Sequence, residues 1–113
     1  MSGPEFEVDT RDDGTLLIVA PSGELDLATA PELEHVLDQW TDGHRAIVLD
    51  LRGLSFLDSS GIRLLVCASR RAGARLALVP PPDHVERVLE ICGVRPLFRW
   101  VQDPYDARAR DET

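Results

Sequence analysis

"AIVLDLRGLSFLDSSGIRLLVCA", Ala46 to Ala68, changes character part-way along. Ala46 to Leu51 is apolar with one polar interruption, the pattern of a strand buried in a sheet covered on both faces. Ile62 to Ala68 is apolar at helical length and nearly all round, so it is expected as a largely buried helix. Between them lies a connection, "RGLSFLDSSG", Arg52 to Gly61, which closes on Asp58-Ser59-Ser60-Gly61, a run of helix-starting residues. A strand followed by a helix is half of a β-α-β unit, and the rest of the chain repeats the arrangement.

Upstream, "FEVDT" and "TLLIVA" flank Asp12-Asp13-Gly14 and read as a hairpin. Thr29 to Glu32 has capping-box spacing, with Pro31 in the first turn. Leu33, Val36, Leu37 and Trp40 then trace one face of a helix that Asp42-Gly43 is expected to stop. Downstream, Gly73 ends the second helix and Arg75 to Val79 is a strand. Asp83 and Glu86 open a third helix with apolar face Val85, Val88, Leu89 and Cys92, closed by Gly93. Leu97 to Val101 reads as a last strand, and Asp103-Pro104 opens a charged fourth helix. The fold class is therefore α/β, with a mixed, mostly parallel sheet, an N-terminal antiparallel hairpin and about four helices. In such sheets function gathers beyond the carboxyl ends of the strands. "SGELDLAT", Ser22 to Thr29, follows the first long strand, and D-S-S-G follows the strand Ala46 to Leu51. If both strands are parallel, the two loops share one rim.

The 113 residues suit one domain, 1–113, with 43% hydrophobic and 28% charged residues. A net charge of −8 disfavours nucleic acid and anionic membranes as partners. No stretch has transmembrane length, and the acidic opening "MSGPEFEVDTRDDG" lacks the apolar core of a secretory leader. A cytoplasmic protein is expected. Cys67 and Cys92 lie within apolar helical patterns and are read as buried free thiols, with a disulfide as the alternative. No cysteine or histidine cluster suggests a metal site.

Catalytic signatures are missing. There is no G-x-S-x-G, no phosphate loop and no dinucleotide fingerprint. His35, His44 and His84 read as surface residues. No enzyme, cofactor or metal is therefore expected. The tetrapeptide D-S-S-G carries two readings. In one, Asp58 or Ser59 simply caps the second helix. In the other, a serine there accepts a phosphate, which a helix N-terminus favours by about 0.3–2 kcal/mol. Phosphorylation would leave the fold intact and act on whatever partner abuts the serine.

Three stretches together resemble a known family: "SGELDLATAPEL", "IVLDLRGLSFLDSSGIRLL" and "RLALVPPPDHVERVLEICGVRPLF". They are similar to the STAS domain, and within it to the single-domain bacterial anti-sigma factor antagonists. The likeness runs from about Phe6 to Ala107. It implies a phosphoacceptor at the first serine after the aspartate, Ser59. It implies partner contact at Asp26, Asp58 and Ser59, and also at Ser60, Gly61 and Arg63. It further implies an anti-sigma factor that is also a serine kinase of histidine-kinase-like ATPase fold. The unmodified antagonist binds that kinase and frees the sigma factor; phosphorylation abolishes binding, and a PP2C-type phosphatase restores it. The free chain is expected to be a monomer. The alternative is a STAS subunit of a lipid-transporter or stress-sensing assembly, binding through the same surface without a Ser59 switch.

Overall fold

The computed structural model describes residues 5–40 and 45–111, with side chains described as far as Ala107. Five strands and three α-helices run in the order β1 (Glu7–Asp12), β2 (Leu16–Leu25), α1 (Ala30–Trp40), β3 (Ala46–Asp50), β4 (Gly53–Leu57), α2 (Ser59–Ala72), β5 (Leu76–Val79) and α3 (Asp83–Ile91). The expected helix stop at Asp42-Gly43, and His44, lie outside the described residues.

The hairpin forms as expected. β1 pairs antiparallel with β2 from Glu7↔Ser22 to Asp12↔Leu17, and Asp12 and Asp13 accept the turn amides through their side chains. β2 is longer than the apolar run that announces it, because Pro21 to Leu25 continue the ladder. Its first half pairs parallel with β3 (Leu16↔Ala46 to Val19↔Leu49) and its last residues pair parallel with β4 (Ser22↔Gly53 to Leu25↔Leu57). With β1 on the other side, β3 and β4 lie end to end along one edge of β2. β5 pairs parallel with β3.

Strand periodicity divides the core in two. Leu17, Val19, Ile47, Leu49 and Leu78 join Leu33 and Leu37 of α1, Leu65 of α2, and Val85 and Leu89 of α3 in the larger cluster. Leu16, Ile18, Val48, Ala77 and Val79 point the other way, where Ala107 covers them. At the end of α3 the Gly93 N–H reaches Glu90 O at 3.0 Å and the Val94 N–H reaches Leu89 O at 3.2 Å. This closure needs a left-handed residue, supplied by Gly93 at φ 73°.

Several expectations change. β4 takes up part of the stretch read as a connection. Its Leu54 and Leu57 are buried while Ser55 and Phe56 are exposed. The register against β2 shifts by one residue there, so the apolar alternation is broken. Leu97 to Val101 is not a full strand: Arg95–Leu97 forms a 3-10 turn containing Pro96, and only Trp100 bridges to Leu78. The fourth helix is a 3-10 segment, Pro104–Asp111, so the described residues form three α-helices and not four. Finally, α2 is one-faced rather than apolar all round. It buries Gly61, Leu65, Ala68 and Ala72, while its arginines and Cys67 stand outside. Cys67 and Cys92 are exposed free thiols: Cys67 falls off the buried stripe of α2, and Cys92 is the C-cap just past the last residue of α3.

Candidate functional site: the rim beyond the parallel strands

Asp26 and Asp58 end neighbouring strands. Leu25 and Leu57 are register partners, and the Asp58 N–H extends the ladder to Leu25 O at 3.2 Å. The two loops do share a rim, although the strand delivering D-S-S-G is β4 and not β3.

Each aspartate organises its own loop. Asp58 is extended (φ −113°, ψ −173°) and caps α2. Its Oδ1 accepts the N–H groups of Ser60 at 2.8 Å and Gly61 at 3.2 Å. Asp26 Oδ1 accepts the N–H groups of Ala28 at 3.0 Å and Thr29 at 3.1 Å. Thr29 does not form the expected capping box. Its hydroxyl accepts the Asp26 N–H at 2.9 Å and donates to Glu24 O at 2.7 Å, tying the loop back to β2. Among the described residues, Oδ2 of both aspartates is left without a partner.

Since Asp58 provides the cap, Ser59 does not. Ser59 is the first residue of α2, exposed, and its hydroxyl bonds to nothing among the described residues. Ser60 beside it is half-buried. Gly61 is buried beneath the rim: a Cβ there would stand 2.6 Å from Leu57 Cδ1 and 2.8 Å from Leu25 Cγ. Its missing side chain lets α2 begin directly on the ends of β2 and β4. Arg63 lies one turn along α2, exposed. Together with Ser60 it borders a groove of about 350 Å³ between α1 and α2. The groove has Ala30, Leu37 and Leu64 in its walls, with Glu34 and Asp38 on the α1 side.

Two apolar side chains near the rim were not picked out from the sequence. Leu27, next to Asp26, is 75% exposed. Phe56, which pairs with Glu24, is 46% exposed. The available signal was a leucine in an otherwise polar loop and a phenylalanine just before D-S-S-G. At the end of β3, Asp50 is held below its usual carboxylate range by a side-chain hydrogen bond from Arg52, partly offset by burial. That pair is internally satisfied.

Residues 6–107 match the family model of the STAS domain. The chain belongs to the STAS domain family. This STAS domain is 34% identical over 97 residues to the anti-sigma-B factor antagonist of Staphylococcus aureus (strain NCTC 8325 / PS 47), covering 82% of this chain and 90% of that protein. It is 29% identical over 111 residues to the anti-sigma-F factor antagonist RsfB of Mycobacterium tuberculosis, covering 95% and 91%. The crystal structure of an anti-sigma factor antagonist from Mycobacterium paratuberculosis superposes over 100% of both chains, with a TM-score of 0.84 at 26% identity. Among the described residues of this STAS domain, no helix is long and apolar enough to cross a membrane.

Proposed function

We propose that this protein is an anti-sigma factor antagonist that docks an anti-sigma factor on the rim around Ser59 and is switched by phosphorylation of that serine. The observation that carries the reading is the division of labour at the start of α2. Asp58 satisfies the helix amides, so the exposed Ser59 hydroxyl is left for a partner or a phosphoryl group. Asp26, Asp58, Ser60 and Arg63 surround it as contact residues, and Leu27 and Phe56 add apolar contact area. Gly61 contributes from below, by setting where α2 starts. The antagonists similar in sequence support the regulatory role.

In this reading the unmodified rim binds an anti-sigma factor that is also a serine kinase, and the sigma factor is released. Transfer of the ATP γ-phosphoryl group to Ser59 Oγ places a dianion beside Asp26 and Asp58. Burying that charge against a partner costs several kcal/mol. Turning a complex from 99% to 1% formed needs about 5.5 kcal/mol, so no refolding of the domain is required. A PP2C-type phosphatase resets the switch.

The test compares Ser59→Ala with Ser59→Asp in binding to the anti-sigma factor of the same organism. Ser59→Ala is expected to bind and Ser59→Asp to bind at least about 100-fold more weakly. Equal affinities would overturn the switch. Mass spectrometry after incubation with that kinase, Mg²⁺ and ATP should map the phosphate to Ser59.

A further inference from the structure

Ser59 and Arg63 both belong to α2, four residues apart, and both are exposed. Residues so spaced on a helix are surface neighbours, about 5–6 Å apart at Cβ. Helical side chains lean toward the N-terminus, so Arg63 covers the turn that holds Ser59. An anion placed N-terminal to a cation at this spacing is the more favourable order. Arg63 makes no hydrogen bond or ion pair among the described residues. The backbone offers a phosphate little here, because Asp58 already occupies the Ser60 and Gly61 N–H groups.

Resting on the reading of Ser59 as the phosphoacceptor, we propose that Arg63 is the internal partner of the Ser59 phosphate. In the unmodified protein the guanidinium is free for an acidic group of the anti-sigma factor. Once Ser59 is phosphorylated, Arg63 folds back onto the phosphate in a charge-assisted pair. Modification then removes a cation from the docking surface as well as adding a dianion to it. The rival anions are few. Across the groove, Asp38 is held by Arg71 at 2.5 Å, which leaves Glu34. On the rim, Asp26 and Asp58 have one oxygen each engaged with backbone N–H groups. A phosphate near −2 outcompetes single carboxylates for a guanidinium.

The experiment installs phosphoserine at position 59 by genetic encoding in the full chain, so that no kinase enters. Phosphorus NMR then titrates the phosphate in the wild-type sequence, in Arg63→Lys and in Arg63→Gln. The second pKa of the phosphate is expected about 0.2–0.4 of a unit lower with Arg63 than with Gln, Lys falling between. The gap should shrink in 1 M salt. An equal pKa in the wild-type and Gln proteins would overturn the pairing. Should the Gln variant not fold, the Arg63 Nε–H resonance decides: it must move on phosphorylation, and an unmoved resonance would equally sink the idea. A failed Ser59 reading looks different, since it appears as a kinase-derived phosphate on another residue.

Discussion

α2 and α3 each begin just beyond a parallel strand, and each start carries an aspartate. At α3 the N-cap is Pro82, which makes no side-chain cap, while Asp83 and Glu86 stand inside the first turn. Glu86 accepts from Arg95 at 2.5 Å, and the His84 Nε2–H donates to Ser55 O at 2.9 Å. At that start Glu86 and His84 hold neighbouring segments, while Asp83 makes no side-chain bond among the described residues. At α2 the acid stands one residue earlier, outside the helix, and does the capping. Ser59 and Arg63 are then left unspent. Two similar-looking stretches thus differ in what their polar groups hold: at α3 they tie down neighbouring segments, whereas at α2 the acid caps the helix and leaves the serine and the arginine for recognition.

Substitutions at three positions probe this contrast, in falling order of effect. Gly61→Ala forces a methyl against Leu57 and Leu25. Overpacking costs about 1–3 kcal/mol, and the helix preference of alanine returns about 1 kcal/mol. A net loss of stability in urea denaturation is expected, together with weaker partner binding as α2 shifts. An unchanged midpoint would mean that α2 is not seated on the strand ends as tightly as described. Asp58→Ala removes the cap and should cost about 1 kcal/mol, whereas Asp58→Asn, which can still accept the same N–H groups, should cost less. If Asp58→Ala melts like the unaltered protein, the Ser59 hydroxyl has taken over the cap. Asp83→Asn at α3 loses only an interaction with the helix dipole, about 0.3–1 kcal/mol. It should leave binding to the anti-sigma factor intact, and a large binding loss would break the distinction between the two helix starts.

The same contrast marks what the sequence could disclose. Helical periods placed α1, α2 and α3, and the hairpin was legible, but the strand ends flanking the site were not: the apolar runs stop at Ala20 and Leu51, whereas the strands end at Leu25 and Leu57. Which residue caps α2 was not, because aspartate and serine are comparable caps and only the backbone at Asp58 decides between them. β4 was hidden because the extra residue Ser55 breaks the period-2 pattern. Leu97 to Val101 has strand composition, yet Pro96 draws Leu97 into a 3-10 turn, and tertiary context outweighs propensity. The capping box at Thr29 and the helix opening at Asp83 and Glu86 had the right spacing, but Thr29 bonds back to β2 and Glu86 is taken by Arg95. Spacing identifies candidates for a bond, and the nearest competitor decides which bond forms.

The bulge at Ser55 has a further consequence, for solubility. Among the described strands β4 pairs only with β2, and it carries the exposed Phe56. A flat apolar edge of this kind would invite a strand from another molecule and seed fibre growth. The register shift disrupts the regular row of donors and acceptors, and the His84 imidazole occupies the Ser55 carbonyl. An apolar side chain can then stand beside the docking rim while the backbone beneath it is a poor template for aggregation.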